Sequence, residues 1–376
     1  MLSWQPVEES SLLLALRDAF LDKLSLAARA EPLPSGPVSA ALDTDVNSKA
    51  NVDRSSQGAF ATPMTVRAGR RHAVRERLLD VRSRHAGNLA IATDALAERI
   101  VFEERQGELR ATAVAYLSGR HLYQASPEAV PRSAAERAGL RRTVRVTREV
   151  IVAGGAFNTP QLLMLSGIGP RDHLAEHGIT PLLDLPGVGA NLQDRYEVSV
   201  VSALGRDFTA LAGCTFQDRD DPCLAQWRAS PMPAATPYDP TRRPVINFRS
   251  MDDGRGGDAD VAAMIEAIRS IRSINAKAGL LDSVREEVPG PRVSTDAQLA
   301  AWIRREAWGH HASCTAAIGP AGKRGSVLDG RLRVHGTANV RVVDASAFPR
   351  IPGLFIMAPT LVLAEKASQD ILRAAR

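Results

Sequence analysis

The last quarter of the chain contains most of the residues that could do acid–base or redox chemistry. The histidine pair His310-His311 is a candidate proton acceptor, because imidazole takes up and releases protons near neutral pH. The valine-rich run Val340–Val343 predicts a buried strand with Asp344 at its carboxyl end. Apolar spacing from Thr360 onward predicts a helix, whose N-terminus would favour an anion or an electron-rich group. A strand end, a helix start and a histidine together favour a redox-cofactor site.

A second candidate supporting unit lies in the middle of the chain. Val150–Gly155 reads as an apolar strand that runs into glycines. The sequence Asn158-Thr159-Pro160 predicts a helix cap and a first-turn proline, followed by a short helix over Gln161–Ser166 that ends at Gly167. A strand, a glycine turn and a helix in this order are typical of α/β folds.

Bulk composition excludes several classes of function. The chain has 376 residues and a net charge of only +5, with aromatic residues at 5% that are not interleaved with the arginines, so nucleic-acid binding is disfavoured. No stretch reaches the roughly 18 apolar residues of a membrane span. Three cysteines without paired spacing imply no disulfide framework, so we expect a reduced, cytoplasmic location.

Several strings in the sequence resemble the signatures of the glucose–methanol–choline (GMC) flavoprotein oxidoreductases. They are G-A-F-N-T-P-Q-L-L-M-L-S-G-I-G (Gly155–Gly169), L-P-G-V-G-A-N-L-Q-D (Leu185–Asp194), H-A-S-C-T-A-A-I-G (His311–Gly319), V-R-V-V-D-A-S (Val340–Ser346) and A-P-T-L-V-L-A-E-K-A (Ala358–Ala367). The resemblance covers roughly residues 60–204 and 285–376. It implies an FAD-dependent oxidation of a small-molecule alcohol.

The resemblance also implies roles for particular residues. His311 would be the base that takes the hydroxyl proton. The second catalytic position of the family, a histidine or asparagine, is occupied by Met357, which cannot donate a hydrogen bond or accept a proton. The residues implied to contact FAD are Ala97, Ala153, Gly154, Asp344, Ala345 and Thr360. Ala97 could equally be an ordinary sheet residue, and Asp344 could instead cap a nearby turn.

The phosphate-binding fingerprint of dinucleotide folds is missing from this sequence. No G-x-G-x-x-G follows a strand, and Gly187-Val188-Gly189 lacks the third glycine. We therefore predict a mixed α/β protein with an incomplete, Rossmann-like FAD-binding domain and a shortened substrate-binding domain that contains a sheet. The predicted parts are an N-terminal helix and loop (1–60), two FAD-binding parts (61–204 and 306–376) and the substrate-binding domain (205–305).

Two functions from different classes remain open on the sequence. The first is an FAD-dependent oxidoreductase whose missing N-terminal segment is either supplied by a separate polypeptide or simply absent. The second is a non-catalytic remnant or interaction protein of the same fold that binds no flavin. A metal site based on His311 and Cys314 is disfavoured, because an isolated H-x-x-C lacks the further ligands that zinc requires.

Overall fold

The computed structural model describes residues 65–203, 213–215, 219–230, 257–277, 285–352 and 355–375. The helix and loop predicted for residues 1–60 lie outside this part of the chain. Within it, no helix is long and apolar enough to cross a membrane.

The described residues form thirteen β-strands, of two to eleven residues, and eight α-helices. In chain order the elements are β1 (Val66–Arg67), β2 (Arg70–Arg71), α1 (Val74–Arg84), β3 (Ala95–Arg105), β4 (Glu108–Ser118), α2 (Ala134–Leu140), β5 (Arg141–Arg145), β6 (Val150–Val152), α3 (Gly155–Leu165), β7 (Ile168–Gly169), α4 (Arg171–Glu176), β8 (Leu183–Asp184), β9 (Tyr196–Glu197), β10 (Val201–Ala203), α5 (Pro222–Ala229), α6 (Asp258–Lys277), β11 (Arg285–Val288), α7 (Asp296–Glu306), β12 (Trp308–Gly309), β13 (Val340–Val342), a 3-10 turn (Ala345–Ala347) and α8 (Met357–Ala374). The mixed α/β class predicted from the sequence is confirmed.

Two compact units divide the chain, and the first contains the described residues of 65–90, 198–230 and 262–306. Its strands β10 and β11 pair antiparallel. Helix α7 buries Leu299, Trp302 and Ile303, whose spacing of three and four residues places them on one face.

A disulfide bond in this first unit contradicts the expectation drawn from the cysteine spacing. Cys214 is bonded to Cys223, and their Cα atoms lie 5.2 Å apart. Asp221 caps the start of α5, and its carboxylate accepts a hydrogen bond from the main-chain N–H of Cys223, which fixes the turn into this helix. A nine-residue separation does not reveal such a turn.

The second unit, residues 91–197, 257–261 and 307–375, is built around two sheets. Strands β3, β4 and β5 form an antiparallel sheet, and β13 pairs parallel with β6 so that Val340 lies opposite Val150. The core between these elements is apolar and almost fully buried; its members include Ile100, Val152, Leu163, Ile168, Leu328, Leu332, Val340 and Val342.

Helix α3 begins earlier than the sequence predicts. It starts at Gly155 rather than after Asn158, and Pro160 lies inside it. The carboxylate of Asp344 accepts a hydrogen bond from the main-chain N–H of Gly155 (3.0 Å), which replaces the expected cap. Gly155 adopts a φ of 82°, a left-handed conformation that glycine tolerates best.

Helix α8 also begins upstream of the predicted position, at Met357 instead of near Thr360. The main-chain carbonyl of Ile356 accepts hydrogen bonds from the N–H and the hydroxyl of Thr360 (3.0 and 2.7 Å), which closes a turn around Pro359. Proline is tolerated in a first turn because its missing N–H would have no helical partner there.

The glycines of Gly187-Val188-Gly189 serve close packing. A Cβ on Gly187 would lie 2.7 Å from the main chain of Gly325, and one on Gly189 would lie 2.6 Å from the terminal methyl carbon of Met164. These contacts explain the glycines without a phosphate ligand.

Candidate active site

The histidine pair lies at the end of a short antiparallel ladder in the second unit. Strand β12 pairs with β9, and Trp308 lies opposite Glu197. His310 and His311 follow β12 directly. The Glu197 Oε1 atom lies 3.7 Å from His310 Nε2 and 3.8 Å from His311 Nδ1, so one carboxylate faces both imidazoles. The His311 residue is buried, with 7% of its surface exposed, whereas the His310 side chain is about half exposed.

Asp194 fixes the main chain of this segment. Its Oδ1 atom accepts hydrogen bonds from the N–H groups of His311 and Arg195, both at 2.7 Å. Gly309 is required next to it, because a Cβ there would lie 2.4 Å from the Oδ2 atom of Asp194. The carboxylate therefore determines where the main chain of His311 lies.

Gln193 and Ser313 also hold the main chain around His311 in place. Gln193 and Ser313 exchange main-chain hydrogen bonds of 2.9 and 3.2 Å, and both residues are almost fully buried. The Oε1 atom of Gln193 accepts a further hydrogen bond from the N–H of Ile351 (2.9 Å). Three segments distant in sequence are thus held together around His311.

Aromatic rings flank both histidines. Trp308 stacks on His310 with ring centroids 4.8 Å apart, and Phe355 meets the His311 ring edge-on at 6.0 Å. Met357, the residue at the second catalytic position implied by the resemblance, is the first residue of α8, two positions after Phe355, and is 45% exposed. Phe355, two residues before the start of α8, therefore contacts the His311 ring.

The carboxyl ends of β6 and β13 form the second part of the site. Because the two strands are parallel, Ala153-Gly154 and Asp344-Ala345 emerge at the same edge. Ala153 and Gly154 are exposed and Ala345 is partly exposed, whereas Asp344 is buried. The structure brings these four predicted residues together.

The carboxylate of Asp344 is surrounded by hydrogen-bond donors of its own chain. Oδ2 accepts from the N–H of Gly155 (3.0 Å) and the hydroxyl of Thr159 (2.6 Å), and Oδ1 accepts from the N–H (2.8 Å) and the hydroxyl of Ser346. The capping role considered from the sequence is therefore the one that these contacts show.

Two other predicted cofactor residues lie on separate elements. Ala97 is exposed on β3, next to an irregularity in its pairing with β4. Thr360 lies in the first turn of α8 with its hydroxyl on the carbonyl of Ile356.

Cys314 does not join the histidines in a metal-ligating group. It is fully buried, its sulfur lies 3.3 Å from the Ser313 hydroxyl, and it packs with Phe348 and Ile351. Among the described residues, the group of three potential metal ligands consists of Glu197, His310 and His311.

Sequence reasoning missed Glu197, Asp194 and the flanking aromatic residues. Asp194 ends one of the strings that resemble the family, and Glu197 follows it by three residues, so acidic residues next to a matched string were the available signal.

Two solved structures share this fold. An FAD-dependent oxidoreductase from Chaetomium thermophilum superposes with a TM-score of 0.61 at 22% identity, over 82% of this chain and 65% of that one. The crystal structure of pyridoxine 4-oxidase from Mesorbium loti gives 0.56 at 21% identity, over 81% and 62%. The chain thus has the mixed α/β fold of these two proteins.

Sequence comparison gives the family. Two models described as GMC oxidoreductase match residues 35–197 and 234–364, and the chain belongs to the GMC oxidoreductase family. The oxygen-dependent choline dehydrogenase of Staphylococcus epidermidis is 32% identical over 346 residues, which is 76% of this chain and 56% of the relative. The enzyme of the same name from Staphylococcus xylosus is 34% identical over 60% and 51%. The chain therefore spans about half the length of these curated relatives.

Proposed function

We propose that this chain carries the catalytic histidine of an FAD-dependent oxidoreductase that oxidises the CH–OH group of a small alcohol. The observation that carries the proposal is the position of His311. Its ring is buried beside Glu197, and Asp194 holds its main chain. Membership of the GMC oxidoreductase family supports the reaction class.

The residues at the end of the β6–β13 pair fit an extended cofactor. Ala153 and Gly154 are exposed at the edge where two parallel strands end, which is where open α/β sheets bind ligands. Asp344 already accepts four hydrogen bonds from the chain, so the exposed residues beside it, Ala153, Gly154 and Ala345, would contact the cofactor. The first N–H groups of α8, at Met357 and Ala358, would favour negative charge on the cofactor.

In the proposed reaction, a residue of this chain would accept the proton of the alcohol hydroxyl. Nδ1 of His311 lies 3.8 Å from Glu197, so we assign acceptance of the hydroxyl proton to Nε2. General-base catalysis of this kind contributes roughly 10²- to 10⁴-fold in rate. Bound FAD would supply the acceptor for the hydride of the carbinol carbon. Met357 cannot exchange a proton, so the base function rests on His311.

The substrate class that we propose is a cationic alcohol of the choline type. Two relatives carry choline in their names. In this chain the Glu197 side chain is only 12% exposed, and a carboxylate shielded from water attracts a cation strongly. Trp308 and Phe355 lie beside the histidines, and aromatic faces bind quaternary ammonium groups.

The first test is whether the purified chain holds flavin. FAD is added, excess is removed, and the visible absorption spectrum is recorded, both for the chain alone and together with a separately expressed G-x-G-x-x-G segment of a longer relative. We expect flavin bands in at least the combined sample. Oxidation of choline and of neutral alcohols is then compared for the native chain, His311→Ala and the surface control His173→Ala.

We expect His311→Ala to lose at least about 100-fold in kcat while retaining flavin, and His173→Ala to match the native chain. If neither the chain alone nor the combined sample shows flavin bands, the oxidoreductase proposal is wrong, and the chain is a protein of the same fold that binds no flavin. A His311→Ala variant with native turnover would overturn the assigned base.

A further inference from the structure

We propose that Glu197, His310 and His311 form a binding site for a divalent transition-metal ion of the zinc class. One carboxylate oxygen and one nitrogen of each ring lie within 4.8 Å of one another. Two imidazoles and a carboxylate are a ligand set that Zn²⁺ accepts, with a fourth position left for water or substrate.

Neighbouring histidines normally point to opposite faces of a strand. Here β12 ends at Gly309, and the rings of His310 and His311 lie together, with centroids 4.3 Å apart and planes inclined by 42°. Both rings therefore direct a nitrogen toward Glu197. His310 and His311 can both act as ligands because β12 ends before them, so their side chains are not forced onto opposite faces of a strand.

The distances are close to those of a loaded site. Zinc–nitrogen and zinc–oxygen bonds of roughly 2.0–2.2 Å place neighbouring ligand atoms about 3.3 Å apart in a tetrahedron. The two oxygen–nitrogen distances here are 3.7 and 3.8 Å. All three ligand atoms lie within 4.8 Å of one another, so side-chain rotations could bring them to bonding distance of an ion.

The surroundings support the geometry. Trp308 stacks on the His310 ring, and Phe355 meets the His311 ring edge-on, so both imidazoles have neighbours before any ion arrives. Asp194 additionally holds the main-chain N–H of His311. Imidazole nitrogens favour zinc, copper or nickel over magnesium and calcium, which prefer oxygen ligands. The chemical class of the ion is thus set by the two histidines.

A bound ion would hold the His311 ring and the Glu197 carboxylate that the proposed oxidation uses. We therefore expect Zn²⁺ to inhibit turnover in competition with the alcohol. This consequence rests on the proposed function, whereas binding of the ion does not.

The binding test uses the full chain without an affinity tag, free of flavin. Zn²⁺ is titrated in competition with a chromophoric chelator, and Co²⁺ absorption reports the coordination number. His310→Ala and Glu197→Gln each remove one ligand. The matched control is His173→Ala, which breaks the other close histidine pair, His173 and His177, with ring centroids 4.6 Å apart on and beside α4. Circular dichroism checks that each variant is folded.

We expect the native chain and His173→Ala to bind one ion with the same affinity, and the two ligand variants to bind at least about tenfold more weakly. Unchanged affinity in folded His310→Ala, or loss of binding only in His173→Ala, would overturn the site. Tight Zn²⁺ binding by a chain that never takes up flavin would refute the proposed function alone; flavin-dependent turnover without Zn²⁺ binding would refute the metal site alone.

Discussion

Asp344 and Glu197 are two shielded carboxylates in the same unit whose surroundings differ in kind. Asp344 accepts four hydrogen bonds from main-chain N–H groups and hydroxyls, none of which titrates near neutral pH. Glu197 faces two imidazoles at 3.7 and 3.8 Å. A carboxylate among fixed dipoles holds the chain in place, whereas one among titratable rings takes part in proton or cation chemistry. We therefore propose that Asp344 is a structural acid and that Glu197 is a functional one.

The largest effect on stability is expected at the structural acid. Asp344→Ala removes the acceptor of the buried hydroxyls of Thr159 and Ser346, and each unsatisfied buried donor costs roughly 1–3 kcal/mol. We expect the free energy of unfolding to fall by about 3 kcal/mol, measured by urea denaturation. A loss below about 1 kcal/mol would show that these hydrogen bonds do not hold α3 against β13.

A smaller loss of stability is expected at Gly309, where an added side chain would collide with Asp194. Gly309→Ala would place a methyl group 2.4 Å from Asp194, whose carboxylate holds the N–H of His311. We expect a loss of about 2 kcal/mol in the free energy of unfolding, because overpacking costs roughly 1–3 kcal/mol. The control is Gly330→Ala, where an added Cβ meets no atom within 4 Å and stability should stay the same. Equal effects at both glycines would contradict the crowding at Asp194.

Substitution of the functional acid should separate binding from stability. Glu197→Gln keeps the shape of the side chain and removes its charge. We expect the KM for choline to rise about tenfold, with a smaller change for a neutral alcohol, while the free energy of unfolding changes by less than about 1 kcal/mol. If Glu197→Gln unfolds the protein as readily as Asp344→Ala does, both acids are structural and the comparison fails.

The smallest effect is expected at a third acid with charged partners, Glu98. Its hydrogen bond with Arg141 lowers the pKa of the Glu98 carboxyl, and the attraction of Arg141 and Arg137 lowers it further against the opposing effect of burial. A pKa lowered on folding stabilises the protein above the unfolded value of about 4.3, and this stabilisation is lost as the pH falls through the folded pKa.

We therefore expect Glu98→Gln to cost less than about 1 kcal/mol at pH 7, and this cost to shrink below about pH 4. Urea denaturation of both proteins across that range measures it. A cost that grows as the pH falls would mean that the pKa of Glu98 is raised.

The sequence could predict the elements whose residues are local and strongly patterned. The strand before Asp344 and the family follow from short strings in which neighbouring residues carry the signal. It placed the starts of α3 and α8 too far along the chain, because their first turns depend on Asp344, 189 residues beyond Gly155, and on a turn around Pro359. It missed the Cys214–Cys223 bond because a separation of nine residues does not show that two cysteines are close in space.

The sequence by itself determined the family and indicated the histidine to test, and it predicted that Met357 stands where the family has a histidine or asparagine. Only the tertiary structure decided which acid faces that histidine. Asp194 and His311 are 117 residues apart, and the strands that align Glu197 with Trp308 have two residues each, too few to show any periodicity. Pairing between such distant segments depends on the packing of the whole unit, and local residue patterns do not contain that information.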